Sequence, residues 1–202
     1  LAAAVVEAGG VPRDLGLVAD DPVAMRARLA DALDAGTDVL ITSGGISVGA
    51  FDHTKDVLAS LGASLALWRV RMRPGGPFAF GTVRGVPWFG LPGNPVSALV
   101  TFALFVRPAL RALQGDPDPV TRRVPCVLAE PVRTQAPLTH FLRARLVRVP
   151  GEPLLRASLT GPQGSGLLTS VAQANALVVV PHDVADLPAG AVVDALPLQP
   201  LP

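Results

Sequence analysis

The chain has 202 residues, half of them hydrophobic and 16% charged, with a formal net charge of +1. That composition excludes a disordered chain and gives no global attraction for nucleic acid or an anionic membrane. No apolar run reaches the ~20 residues of a membrane span, and the lone Cys126 excludes an internal disulfide or a thiolate metal cluster. A buried, inert thiol fits a reducing compartment.

In chain order, residues 1–8 read as part of a helix that stops at Gly9-Gly10. They carry no signal-peptide pattern, so the chain is expected to begin inside an element and to be a piece of a longer protein. Residues 11–18 can form a short strand. Asp21-Pro22 then reads as an N-cap with proline at the first helical position, Val23, Ala30 and Leu33 as the inner face, and Gly36 as the stop. Residues 38–42 form a short apolar run typical of a buried parallel strand. A glycine-rich turn follows, then a helix over about 54–61.

Residues 64–72 read as a strand, on one face of which Arg69, Arg71 and Arg73 would lie at period two. Residues 78–83 and 86–91 pair as a hairpin about Arg84-Gly85. Asn94-Pro95 opens a long apolar helix that runs to Leu113. Alternation of this kind predicts an α/β layered domain with a mostly parallel sheet over residues 1–115. Asp116-Pro-Asp-Pro119 breaks helix and strand alike. Beyond it, runs at 123–128, 141–149, 154–159, 176–180 and 191–196 have the spacing of a small all-β barrel over 120–202.

Four constellations carry candidate chemistry. Ser43-Gly-Gly-Ile-Ser-Val-Gly49 follows a strand, where ligands bind in open α/β sheets, and its paired glycines let backbone N–H groups converge on an anion. An ordinary glycine turn explains it equally well in isolation. Asp52 either caps the helix that carries Lys55 or holds a divalent cation. Arg73 abuts the rigid Pro74-Gly-Gly-Pro77 turn, so its fork suits a bidentate oxyanion. Leu91-Pro-Gly-Asn-Pro-Val-Ser97 enters the long helix, whose N-terminus is a ready anion site, with capping by Asn94 as the competing role. Arg143 alone reads equally as a surface strand residue, and Gln163-Gly164 as a turn. His53, His140 and His182 lack metal-ligand spacing and read as exposed histidines.

Taken in order, these motifs resemble the MoeA/gephyrin E-domain family of molybdopterin molybdenumtransferases. The resemblance rests on residues 43–49 with Asp52, Arg-Pro-Gly at 73–75 with Pro77, and Leu-Pro-Gly-Asn-Pro-Val-Ser-Ala at 91–98. Phe141 with Arg143, Gln-Gly-Ser at 163–165 and Ala174-Asn175 extend it through the second domain. It implies a three-layer molybdopterin-binding α/β domain followed by the family's β-barrel domain. It also implies a reaction: molybdopterin adenylate and molybdate give molybdenum cofactor and AMP, with Mg2+ or another divalent cation.

On the resemblance, Ser43, Gly44, Gly45, Ser47 and Gly49, with Pro92, Gly93, Asn94, Pro95 and Ser97, hold the pterin nucleotide. Ser47 and Asp52 are the catalytic positions, with Asp52 on the metal, and Arg73, Pro77, Arg143 and Ser165 take molybdate. The family's second motif lysine is replaced by Gly76, and its first by Arg73. Loss of one cation from a dianion site predicts molybdate binding weaker by ~1–3 kcal/mol. Further expectations are a homodimer formed through the full-length chain, a molybdopterin adenylyltransferase as partner, no nucleic acid or membrane, and a cytoplasmic location. The chain by itself is not expected to be fully active. The alternatives are a non-catalytic pterin-nucleotide-binding or scaffolding module, or a generic nucleotide-binding α/β domain of the competence-damage type.

Overall fold

In the computed structural model, which describes residues 1–18, 21–46, 54–135 and 137–201, helix α1 spans Ala2–Glu7. Residues 11–18 then run without regular structure, contrary to the expected strand. Pro12 cannot donate to a ladder, and the Gly16 N–H is taken by Asp14 Oδ1 at 2.8 Å, a local turn that competes with strand pairing. Helix α2 spans Pro22–Asp34, and Asp21 caps it by accepting from the Val23 N–H at 3.0 Å. Its buried residues are Leu29 and Ala32; Val23, expected on the inner face, is 76% exposed.

Strand β1 (Leu40–Ser43) leads to the glycine turn, and α3 (Thr54–Ser60) is followed by β2 (Ala63–Trp68). The arginine-rich strand expected over 64–72 is broken. Arg69 has a left-handed φ of 74°, and its N–H donates to the Phe78 carbonyl at 2.8 Å. Strand β3 is only Met72–Arg73, so Arg69, Arg71 and Arg73 do not form one face of a continuous strand.

Strands β4 (Ala79–Val83) and β5 (Val86–Leu91) form the expected hairpin. Arg84 and Gly85, with φ of 51° and 83°, supply the two positive-φ residues that a tight hairpin turn with the native strand twist requires. The sheet order is β1-β5-β4-β2, with β1–β5 parallel and the two other pairs antiparallel. The sheet is therefore mixed rather than mostly parallel. A two-residue turn can join only antiparallel neighbours, and β5 alone is left to pair with β1 in parallel.

From Pro95 to Leu113 the chain is helical: α4 (Pro95–Thr101), a π-helical turn (Phe102–Val106) and α5 (Arg107–Leu113). Pro108 has no N–H, and its ring crowds the carbonyl four residues back, which accounts for the widened turn ahead of it. The 19-residue run is apolar and long enough by composition to cross a membrane, although Arg107 and Arg111 interrupt it in sequence; half of its most apolar window is buried. Phe102, Val106 and Leu110 pack there with Phe78, Phe89 and Leu91, and Trp88 centres a second cluster with Leu40, Leu58 and Val83.

The chain divides into two compact units, Leu1–Val70 with Gly75–Gln114 and Arg71–Pro74 with Gly115–Pro202. The second contains β6 (Val124–Leu128), β7 (Val132–Arg133), β8 (Thr139–Val147), β9 (Leu155–Leu159), α6 (Leu168–Ala172), β10 (Ala176–Val180), β11 (Asp186–Leu187) and β12 (Val192–Pro197). The order β10-β12-β6-β9-β8 closes through β8–β10 into a five-stranded barrel, and β3 adds to β8 in parallel. Closure leaves no free barrel edge. Leu142, Ala144 and Leu146 fill its interior with Cys126, Leu155, Val178 and Val180. Burial pushes the Cys126 thiol up to about 11, so it stays protonated and unreactive near neutral pH.

Candidate functional site

In the first unit, two loops meet at the carboxyl ends of the parallel neighbours β1 and β5. The Gly44 N–H donates to the Leu91 carbonyl at 2.9 Å, and the Ser43 hydroxyl donates to the Pro92 carbonyl at 3.2 Å. Gly44 and Gly45 have φ of 88° and 67°. A Cβ on Gly93 would lie 3.3 Å from the Gly44 Cα, and one on Gly45 would run into the Thr54 hydroxyl. Glycine at these positions thus serves close backbone approach, beyond simple turn formation.

Pro92 is buried beneath the joined loops, while Ser43, Gly45, Gly93 and Pro95 form an exposed rim. Asn94 stands at the helix N-cap, but its side chain makes no capping hydrogen bond. The routine-capping role is therefore not the one this conformation adopts. Ser97, in the first turn, is only 6% exposed. Physically the arrangement offers an anion the positive end of a long helix beside an open glycine surface. Ser47, Gly49 and Asp52 lie outside the described residues, as does His53. Among the described residues no three His, Cys, Asp or Glu side chains come together to hold a metal ion.

In the second unit, β3 brings Arg73 opposite His140 at the start of β8. Arg73 is exposed, and its Nη1 donates to Gln135 Oε1 at 2.9 Å. His140 is 5% exposed, a correction to its reading as a surface histidine. Its Nε2 lies 2.9 Å from the Gln135 carbonyl and 3.3 Å from the Gln135 N–H, so it fixes the backbone of the residue that orients Arg73. The alternation of Leu142, Ala144 and Leu146 into the barrel puts residue 140 on the same side of the strand, and that parity was the available signal. Gln135 left no such signal.

Arg143, three residues further along β8, faces out of the barrel and is nonetheless wholly buried, not a surface strand residue. Burial alone lowers its pKa from the ordinary guanidinium value. Its backbone N–H donates to Gln163 Oε1 at 2.8 Å, and the Gln163 amide returns a bond to the Arg143 carbonyl at 3.2 Å. Gln163 is thus tied to the strand and is not an ordinary turn residue. Ser165 is partly exposed in the same loop, in the unit that contains Arg73 and Arg143; Pro77 belongs to the first unit.

Residues 1–112 match the domain family described as "Probable molybdopterin binding domain", and residues 125–198 match "MoeA C-terminal region (domain IV)". The chain is 37% identical over 195 residues to molybdopterin molybdenumtransferase 2 of Mycobacterium tuberculosis, covering 94% of this chain and 47% of that protein. It is 37% identical over 187 residues to molybdopterin molybdenumtransferase of a Nostoc species, covering 90% and 42%. A crystal structure of the molybdopterin biosynthesis MoeA protein from Pyrococcus horikoshii aligns with a TM-score of 0.77 at 30% identity, covering 98% of this chain and 46% of that one. The chain therefore spans about half the length of the curated relatives it matches.

Proposed function

Because the chain belongs to the molybdopterin molybdenumtransferase (MoeA) family, we propose that the protein carrying it inserts molybdenum from molybdate into adenylated molybdopterin and releases AMP. The observation that carries this reading is the joined pair of glycine loops, in which the Gly44 N–H meets the Leu91 carbonyl at the end of two parallel strands. There the open backbone of residues 43–45 and 92–95 and the start of the long helix receive the nucleotide's phosphates. Ser97 stands in the first turn of that helix and is 6% exposed. Ser47 and Asp52 are assigned to the adenylyl phosphate. The divalent cation of this reading has no donor set among the described residues and would rest on Asp52.

Molybdate is a small tetrahedral dianion, which fixed N–H donors suit better than soft metal ligands. Gln135 takes one N–H of the Arg73 fork and fixes its direction, and the opposite edge of the fork remains for an oxyanion. Pro77 stiffens the turn beyond Arg73, and Ser165 supplies a hydroxyl. Gly76 contributes no charge, so half-saturation is expected at a higher molybdate concentration than with a lysine there. Gln135→Ala is expected to raise half-saturating molybdate by roughly 3–10-fold, the worth of one net hydrogen bond, and to leave nucleotide saturation unchanged. Titration of each substrate against AMP release checks it.

The same reading assigns two copies to the complete protein, a molybdopterin adenylyltransferase as the source of its substrate, and a cytoplasmic location. The test is AMP release by the complete protein from molybdopterin adenylate, at several molybdate concentrations. Molybdate-dependent release is expected, and Asp52→Asn is expected to retain nucleotide binding while release stops. Tight nucleotide binding without release in the unaltered protein would make it a binding module and end the catalytic assignments.

A further inference from the structure

Arg73 is exposed, and its side chain has enough rotatable bonds that a fixed backbone alone would leave the guanidinium free to swing. Both of its ends are held from one residue of β8. At the base, β3 pairs in parallel with β8, Arg73 standing opposite His140, and the Thr139 N–H donates to the Arg71 carbonyl at 3.1 Å. At the head, Nη1 donates to Gln135 Oε1 at 2.9 Å, and the His140 ring holds the backbone of Gln135. Nε2 lies 2.9 Å from the Gln135 carbonyl and 3.3 Å from its N–H, and one ring nitrogen serves as donor or as acceptor, not both. The shorter contact assigns the proton to Nε2, which donates to the carbonyl. The residue before Gln135 is clamped from another side: the Thr134 N–H donates to the Ala185 carbonyl at 2.7 Å, and its hydroxyl donates to the Val184 carbonyl at 3.0 Å.

From this closed circuit we propose that His140 is a positioning residue for oxyanion binding, which sets the direction of the Arg73 fork by acting through Gln135. The whole circuit lies within one compact unit. Burial separates its two supporting members. His140 is 5% exposed and takes its place from the barrel strand, whereas Gln135 is exposed. Water can therefore replace the bonds to the Gln135 backbone when the ring is removed, and the fold loses little. Water does not restore direction, because a residue held by solvent has no fixed place for its Oε1. A planar fork meets a tetrahedral dianion through two parallel bonds only when it arrives at the right angle. Thr134 confines the chain ahead of the loop, and His140 is the hold on Gln135 itself.

The inference rests on the reading that Arg73 meets molybdate, and two readouts on the complete protein separate the two. The rate at which phenylglyoxal modifies Arg73 reports how firmly its guanidinium is held. AMP release titrated with molybdate reports what that hold is used for. His140→Leu keeps an apolar body in the barrel and removes the donor. It is expected to raise both the modification rate and half-saturating molybdate by roughly 3–10-fold, the worth of one net hydrogen bond, with nucleotide saturation unmoved. His140→Gln carries an amide nitrogen at the reach of Nε2 and should restore the unaltered behaviour; His140→Asn, one methylene shorter, should behave as His140→Leu does. In a Gln135→Ala background, His140→Leu should add no further loss. Thr134→Val keeps the shape and the backbone N–H, and should show a smaller effect of the same kind; it serves should the His140 variants fail to fold. An unchanged Arg73 modification rate in His140→Leu and Thr134→Val would overturn the inference. So would a His140→Leu loss that multiplies with that of Gln135→Ala, or one that His140→Gln does not rescue. Faster modification with molybdate dependence unchanged, in Gln135→Ala as well, would take Arg73 itself out of oxyanion binding, and the positioning role would fall with that reading.

Discussion

Asn175→Ala is expected to destabilise the barrel by about 2–4 kcal/mol, since it strands two backbone groups of a buried residue. The Asn175 side chain acts as a peptide unit. Its Oδ1 accepts from the Leu146 N–H at 2.7 Å, and its Nδ2 donates to the Leu146 carbonyl at 2.9 Å. The backbone pairing of β8 with β10 stops at Ala144 opposite Ala176, so the amide carries the ladder one step past the end of β10. Its own backbone joins a third strand end, because the Leu198 N–H donates to the Asn175 carbonyl at 2.8 Å. Leu146 is fully buried in the barrel interior, and water cannot readily take over the lost bonds. Urea unfolding should show a lower midpoint with an unchanged slope. Asn175→Asp keeps the acceptor and sets a carboxylate against a carbonyl; it should regain part of its loss at acidic pH, where a protonated carboxyl can donate. A midpoint unmoved by Asn175→Ala would show that the barrel seam closes without this side chain.

The legible parts of the fold are those set by neighbours in sequence. Asp21-Pro22 fixes its cap and Arg84-Gly85 its turn locally, Pro95 marks the start of the long helix, and the alternation of Leu142, Ala144 and Leu146 marks the barrel strand with its inner face. Contacts between distant residues were hidden. Arg69 breaks a strand that its side-chain pattern favoured, because its N–H is claimed by Phe78 across a loop. Arg143 sits at a nominally outward position, and only the loop twenty residues on covers it. The same division holds in the candidate site. The glycines at 44, 45 and 93 could be seen in the sequence as permissive backbone, whereas the reason for them, the approach of Gly44 to Gly93, comes from the parallel pairing of β1 with β5. Gln135 and His140 orient Arg73 through bonds that no spacing rule predicts.

Trp88→Ala is expected to cost about 3–5 kcal/mol and, in addition, to weaken nucleotide binding at the glycine loops. Trp88 is fully buried at the centre of the first unit's core, among Leu40, Leu58 and Val83. Its indole covers Gly90, where a Cβ would lie 2.7 Å from the ring, and its Nε1 donates to Thr42 Oγ1 at 3.1 Å. Thr42 stands two residues before Gly44 on β1, opposite Gly90 on β5. One side chain therefore ties core packing to the strand end that launches the loop. The two effects separate by substitution. Trp88→Phe retains most of the ring and loses the N–H, and should cost about 1 kcal/mol of stability. If the bond to Thr42 positions the loop, Trp88→Phe and Thr42→Val should each weaken nucleotide binding, and together by less than the product of their single effects. Full additivity would mean that the indole supports the loop by bulk alone, and that the direction of Ser43 and Gly44 is set by their own bonds to Pro92 and Leu91.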